Sequence, residues 1–535
     1  MNFSARLYKK TAHYLTAGYL LAIAIQAFGS DDNASQAIRQ SFAASPSACA
    51  ATLAAAGTAG SSLLHEFYAQ EAFLPLWQEP SRRAALLHEL EQLADDGLNP
   101  NEYRLDSLRT PLPKGIQQRA CADLLISHSY LLALQHLSRG RVAQESLEPF
   151  WRAPGSDSPT PRHSVLSLAV QGLDNLPAAF ATARPTLFQY QQLRRAYAER
   201  RRLPLSEWPA IPGGRLLRPD MRDARVPLLI ERLAAEGYID ERPAVASDRY
   251  DAALVAAMQR FQTRHGLQAD GLIGPDSLTA LNTSAAARLA QLRVNLERWR
   301  WLAGDIEAQT LLVNIAGGQL GYYRDHQLLW QGRAQVGRPE RQTPQLKSLV
   351  SRLTLNPTWT VPPTIMREDK LPEIRRDLGY LASHQLRVLD RDGNPLDPTK
   401  VDWQHPGGII LRQDAGPKNP LGQLVIRFAN PFSVYLHDTP SQHLFSKSPR
   451  AFSSGCVRIE GIVELLDTLL PADDCAEIAR LLASGETREF PLRERLPIVL
   501  AYWTAEVDAD GELILRNDLY ARDQNVLAAL QRHTY

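Results

Sequence analysis

The sequence predicts a multidomain α+β protein: a helical scaffold, a small three-helix module, and a mostly antiparallel β-sandwich domain with an inserted capping subdomain. Three observations lead there. The chain has 535 residues, well beyond the roughly 100–200 that one core organises, so about three or four units are expected. Apolar residues recur with helical spacing as far as Gly304 and with strand spacing after it. Apolar content of 44% beside 22% charged residues is that of a core-forming globular protein, and 36 prolines with 31 glycines call for many turns. The formal net charge of +1 lacks the basic excess that neutralises phosphates, so no nucleic-acid partner is expected.

Residues 1–29 read as a signal peptide or a membrane anchor. Arg6, Lys9 and Lys10 precede the uncharged, mostly apolar run from Tyr14 to Phe28, which is short of the about 20 apolar residues of a confident span. Ala27-Phe28-Gly29 offers small residues for cleavage; an uncleaved anchor is the alternative, and either predicts export. Residues 30–222 form the helical scaffold. An Ala-, Ser- and Gly-rich stretch leads to about residue 62, and then spaced leucines, Leu86 to Leu93 and Leu124 to Leu137, repeat with helical period. Trp77 and Trp151 are assigned to packing. Four cysteines are too few for a disulfide framework. Cys49 and Cys121 either pair or are small buried apolar side chains.

A proline-rich break from Pro204 to Pro219 precedes a module at 223–284, in which Leu254, Met258 and Phe261 share one helix face and glycines mark tight turns. Its Phe261-Gln262, Gly266-Leu267 and Asp270-Gly271-Leu272-Ile273-Gly274 landmarks resemble the peptidoglycan-binding domain of wall enzymes; a helical spacer without a ligand is the alternative. Residues 285–305 hold a scaffold helix, read as amphipathic over Ala286 to Leu302 through Leu289, Leu292, Val294, Leu296 and Trp299. The β domain occupies 306–535. Strands are expected at Thr310–Ile315, Gln319–Tyr323, Leu328–Val336, Leu424–Phe428, Ser433–His437, Val499–Val507 and Glu512–Arg516. The last two are joined by a turn at Asp510-Gly511, because the stretch from Asp508 lacks the alternating ligands of a calcium loop.

The densest chemical signal runs from Tyr435 to Arg458. A thiol needs a base to become a nucleophile, and His437 at a strand end facing Cys456 in a Gly-containing turn can supply it. Gly455 allows close backbone approach, amides over Ser454 to Cys456 can donate to an oxyanion, and Arg458 adds positive potential favouring a thiolate or a substrate carboxylate. On spacing alone, a buried structural cysteine is the alternative.

Tyr435-Leu436-His437-Asp438-Thr439-Pro440 followed by Ser453-Ser454-Gly455-Cys456-Val457-Arg458 resembles the catalytic signature of the L,D-transpeptidase family, in its large periplasmic branch with an inserted peptidoglycan-binding domain. The match extends through Val336-Gly337-Arg338-Pro339, Arg341-Gln342-Thr343-Pro344, Asn356 to Pro363, Gly416 to Gly422 and Tyr502-Trp503-Thr504. The resemblance implies Cys456 as nucleophile, His437 as general base and the backbone beside Asp438 as the group orienting the imidazole. Ser454 stands where a histidine is commoner, which makes backbone donors the safer oxyanion site. Arg458, Tyr435, Trp359, Phe452 and Asn419 complete the implied substrate-binding set, and residues of about 346–407 the capping subdomain. No cofactor is implied, and His443 beside His437 and Cys456 does not amount to a metal site.

The same resemblance supplies the reaction: a thioester on Cys456, release of D-alanine and a 3→3 cross-link between peptidoglycan stem peptides, with carbapenems as covalent inhibitors. Other cell-wall synthesis proteins, and the membrane through an uncleaved anchor, are the further partners it admits. An L,D-carboxypeptidase using the same residues and a non-catalytic peptidoglycan-binding protein are the alternatives. A papain-like peptidase fits less well, since there the nucleophile precedes the histidine in the chain.

Overall fold

The computed structural model describes residues 32–43, 49–156, 164–204, 207–239, 247–508 and 510–532. The expected signal or anchor segment lies outside the described residues.

The N-terminal platform is helical, with Ala50–Gln70, Pro80–Gln92, Ile116–Arg139, Val165–Gly172, Leu176–Ala183 and Phe188–Arg202. Ile116–Arg139 contains neither proline nor glycine, and its Leu124, Leu131, Leu134 and Leu137 turn into the core. Trp77 is buried there, its Nε1 donating to Ser127 Oγ at 2.8 Å. Cys49 and Cys121 are joined by a disulfide, which fastens the start of Ala50–Gln70 to the long helix.

In the second unit, Val226–Ala235, Ala252–Arg264 and Pro275–Leu281 surround a core that includes Leu254, Met258 and Phe261. That core also takes Ile211 and Leu217 from the proline-rich stretch, so the packed unit begins before residue 223. Asn282 clamps Ile211 by reciprocal hydrogen bonds of 2.8 and 2.9 Å.

Ala285–Leu302 runs between platform and sheet. The expected amphipathic pattern is absent: from Val294 to Leu302 every residue is buried. Its charges are paired instead of solvated, Arg298 with Glu148 at 2.7 Å and Asp523 at 2.5 Å, Arg300 with Glu297 at 2.6 Å. Hydropathy counts Arg and Glu as solvent-facing, and that reading fails where guanidinium and carboxylate satisfy each other.

The strands are β1 (Trp151–Arg152), β2 (Thr310–Asn314), β3 (Gln319–Arg324), β4 (Gln327–Gly337), β5 (Leu346–Leu355), β6 (Trp359–Thr360), β7 (Leu386–Leu389), β8 (Ile410–Gln413), β9 (Leu424–Phe428), β10 (Leu436–His437), β11 (Ala451–Ser453), β12 (Val457–Ile459), β13 (Arg488–Ala501), β14 (Ala505–Val507) and β15 (Leu513–Leu515). The main sheet runs β5-β13-β2-β3-β4-β12-β10-β9, and β9 pairs back onto β5, so the ends meet. Closure leaves few free edges. Trp151, expected only to pack, also extends the sheet through β1, parallel to β5. The sheet is mostly antiparallel, as expected, but not purely so: β13 and β2, β10 and β12, and β11 and β4 are also parallel pairs. Between β10 and β12 the chain has a long connection, as a parallel pair requires.

Two strand expectations are redrawn. Ser433–His437 contracts to β10 because Asn430 Oδ1 holds a turn, accepting from the amides of Phe432 and Val434 at 3.1 Å each. Val499–Val507 divides, since the amides of Tyr502, Trp503 and Thr504 go to the side chains of Gln345, Asn314 and Asn295. The turn from Asp508 to Gly511 joins β14 to β15 as expected.

The capping excursion starts later than residue 346, because Leu346–Leu355 is β5, with Leu346, Leu353 and Leu355 in the core of the ring. From Asn356 onward the chain builds a separate small sheet, β6-β8-β7, over its own core of Val361, Ile374, Leu381, Leu386, Val388 and Leu411.

Candidate active site

Val434 and Leu436 point into the core of the ring, as do Val457 and Ile459. Side chains alternate along a strand, so Tyr435, His437, Cys456 and Arg458 share the opposite face. Register does the rest. Leu436 pairs with Val457 and His437 with Arg458, which sets Cys456 across from Tyr435 and diagonal to His437 on the neighbouring strand. The Tyr435 ring lies 5.6 Å from the imidazole, centroid to centroid, and Tyr435 favours the ionised form of the Cys456 thiol. The Cys456 Sγ also lies 3.8 Å from the Ser433 carbonyl oxygen.

His437 is buried, with Nδ1 2.6 Å from the backbone oxygen of Asp438. A carbonyl only accepts, so the proton is on Nδ1 and Nε2 keeps its lone pair. Asp438 is itself fixed. Its amide donates to the Leu424 carbonyl at 2.9 Å, and its carboxylate accepts from the Gln423 amide at 2.9 Å and from Gln442 Nε2 at 3.2 Å. The carboxylate lies over Gly422, which has φ +60° and where a Cβ would come within 2.2 Å of Oδ2. Glycine alone fits that backbone and that contact.

Burial decides the protonation states. It pulls His437 down to about 3, with Arg458 pushing the same way and the bond to Asp438 opposing. It pushes the Cys456 thiol above its ordinary value, against the hydrogen bonds from Tyr435 and the charges of Arg458 and Arg427. The resting pair is a neutral thiol beside a neutral imidazole. The field of Arg458 favours the thiolate, as expected, but desolvation is the larger effect. Arg458 Nη1 donates to Gln335 Oε1 at 3.0 Å, while its buried Nε has no acceptor among the described residues. A guanidinium with a spare donor beside the thiol suits an anionic group.

Gly455 has φ +116°, which glycine tolerates. Its carbonyl accepts from Thr343 Oγ1 at 2.9 Å and its amide donates to Ser453 Oγ at 3.1 Å, while the Ser453 hydroxyl donates to the Cys456 carbonyl. Of the amides expected at an oxyanion site, that of Gly455 is therefore spent within the turn, whereas the Cys456 amide meets no acceptor among the described residues. Ser454 is exposed, accepting from Arg341 Nη1 at 3.0 Å, and Phe452 is exposed on β11. Among the described residues no group of three His, Cys, Asp or Glu side chains is arranged to hold a metal ion.

Residues 308–478 match the family described as "L,D-transpeptidase catalytic domain". The greater part of the β domain is therefore similar to L,D-transpeptidase catalytic domains. Residues 222–281 match "Putative peptidoglycan binding domain" and 62–196 "Scaffold domain". A "Putative L,D-transpeptidase" of Haemophilus influenzae is 35% identical over 221 residues, 40% of this chain, and the chain spans 45% of that relative's length. An L,D-transpeptidase structure from Mycobacterium smegmatis shares 14% identity over 36% of this chain and 58% of its own. One from Xylanimonas cellulosilytica shares 15% over 54% and 99%. Both have a TM-score of 0.17, a likeness too weak to bear weight.

Asn419 and Trp359, both expected to bind substrate, sit on the capping excursion. Asn419 is fully buried, its Nδ2 donating to the carbonyls of Pro357 at 2.9 Å and Asp414 at 3.0 Å and its Oδ1 accepting from the Leu421 amide at 2.9 Å. These three bonds to the backbone make it the closure at the base of the cap. Trp359 packs half-buried against the cap core, with Lys370 Nζ 5.7 Å from its ring centroid. The residue that sequence reasoning left without a role is Arg341, which grips Asp369 at 2.7 and 2.8 Å and Glu368 at 2.6 Å on the cap while donating to Ser454 on the nucleophile turn. Arg341 and the charged stretch from Glu368 were both visible in the sequence, and only the fold joins them.

Proposed function

We propose that this chain is an exported peptidoglycan L,D-transpeptidase that forms 3→3 cross-links through a thioester on Cys456. The observation that carries the reading is the shared strand face, where register brings a thiol, an imidazole of fixed tautomer and a cation with a spare donor together. Cys456 Sγ attacks the carbonyl of the third-position diaminoacyl residue of a tetrapeptide stem while His437 Nε2 takes the thiol proton. With no standing thiolate, proton transfer and attack proceed together, and the Asp438 carbonyl stabilises the imidazolium that forms. The Cys456 amide is the free donor for the oxyanion. Collapse breaks the peptide C–N bond, His437 returns its proton to the leaving nitrogen of D-alanine, and the acyl group stays on sulfur. The side-chain amine of a diaminoacyl residue on a second stem then attacks, loses a proton to His437 and expels the thiol. Arg458 is the partner for a stem carboxylate.

Export to the periplasm is supported by the Cys49–Cys121 disulfide, which belongs to oxidising compartments. Among the described residues no helix is long and apolar enough to cross a membrane. The test is to incubate wild type and Cys456→Ala with disaccharide tetrapeptide and weigh the products. Cross-linked dimers and free D-alanine are expected from the wild type only. Equal turnover by both would defeat the nucleophile assignment, and D-alanine release without dimers, with acceptor stem in excess, would make the enzyme a carboxypeptidase.

A further inference from the structure

We infer that the protein holds a second binding site, for the sugar backbone of the polymer: a cleft of about 850 Å³ between the three-helix module and the β3-β4 face takes a chain of N-acetylated amino sugars. The inference rests on the proposed peptidoglycan reading for the identity of that sugar. The cleft is lined by none of the residues of the Cys456 face, and its volume lies within the roughly 300–1,000 Å³ of small-ligand pockets.

Its lining includes Trp299 and Trp503, stacked at 4.2 Å and only 2% and 1% exposed. Both indole Nε1–H groups are buried with no acceptor among the described residues. A buried donor without a partner is costly, so two of them in one cleft wall point to a ligand carrying acceptor oxygens. Amides add to this. Gln331 is exposed on β4, and Gln268 uses its Oε1 to accept from the Ser448 amide at 3.1 Å, leaving its NH₂ group to donate. At the rim, Phe188 and Leu328 are exposed at 51% and 42%. An acetamido sugar ring has apolar C–H faces bordered by hydroxyl and amide groups, which matches an apolar rim beside an amide-bearing wall.

Charge argues for a neutral sugar over an acidic peptide, because the cations here are mostly engaged. Arg516 pairs with Glu506 at 2.7 Å and Arg333 with Glu460 at 2.5 Å, and Arg450 donates to the backbone carbonyls of Gly317 and Gly318. The wall is also continuous with the catalytic loop. Ser448 bonds the module through the Gly266 carbonyl at 2.6 Å, and the segment from Phe445 to Arg450 runs directly into β11 and Cys456. A sugar chain in the cleft is thereby held by the segment that leads to the nucleophile.

The test titrates the full chain with a tetramer of β-1,4-linked N-acetylglucosamine in a calorimeter. Binding is expected, weakened about tenfold by Phe188→Ala and by Gln331→Ala, each of which removes one contact. D-alanine release from a soluble stem tetrapeptide without sugar is expected to stay at the wild-type rate in both variants. No detectable binding of the tetramer, binding unchanged in both variants, or a cleft that takes the sugar-free acidic tetrapeptide instead would overturn the inference. A wild-type chain that turns over the stem peptide but does not bind the tetramer counts against this site alone. Absent turnover with sugar binding intact counts against the proposed function alone.

Discussion

At pH 7 an imidazole held at about 3 is protonated in about one molecule in ten thousand, and a thiol above its ordinary value is ionised in fewer than about one in thirty. Both numbers follow from burial, so the pair waits uncharged and the base acts only as the bond to carbon forms. On a Cys475→Ser background, which leaves Cys456 as the free thiol, alkylation by iodoacetamide followed by intact mass is expected to rise about tenfold per pH unit through neutrality, without a plateau below pH 8. A plateau already reached by pH 7 would reveal a standing thiolate and refute the reasoning. The same desolvation links His437 to stability. Its folded value lies below the unfolded one of about 6.5, so the unfolded chain binds the extra proton. The contribution is present above pH 6.5 and is lost as pH falls toward the folded value, by about 1.4 kcal/mol for each unit. His437→Gln should flatten the slope of unfolding free energy against pH between 6 and 4 by that amount. An unchanged slope in urea titrations would mean that the ring is solvated.

Gly422→Ala puts a methyl into the Asp438 carboxylate and strains a left-handed backbone, at a cost of roughly 2–3 kcal/mol. Loosening the support of the imidazole, it should also slow acylation by a carbapenem about tenfold or more in the folded protein. Wild-type acylation would show that Asp438 is not what orients His437. Asn419→Ala removes three buried hydrogen bonds and should destabilise by about 2–3 kcal/mol in urea, with KM for the stem peptide unchanged; a raised KM alone would place Asn419 in the substrate cleft. Arg341→Met should leave overall stability nearly unchanged and speed amide exchange severalfold over Met366–Lys370, the cap segment it holds. Unaltered exchange there would mean that other contacts seat the cap.

Much of this site was legible because strand alternation and register are written in one dimension. Val434 and Leu436 against Tyr435 and His437, and Val457 and Ile459 against Cys456 and Arg458, separate inward from outward positions by residue type alone. The protonation states were not legible, since Arg458 beside Cys456 suggests a thiolate until the depth of burial is known. The bonds of Asn419 were hidden for a related reason: a polar residue in a matching motif looks the same whether it faces a ligand or three backbone groups. The ion pairs of Arg298 with Glu148, distant in the chain, and of Arg300 with Glu297, one turn away, hid the buried run from Val294 to Leu302 behind an apparently amphipathic sequence. Ile211 disappeared into a proline-rich stretch whose packing partner, Asn282, lies across the whole module.

The 308–478 match stops short of β13, yet the 14 residues of that strand are the stave between β5 and β2. A fragment trimmed to the match would open into two raw edges of unpaired backbone. Leu311 and Val313 on one edge and Leu346 on the other would lose Ile498 and Leu500, the strand partners that cover them in the intact ring.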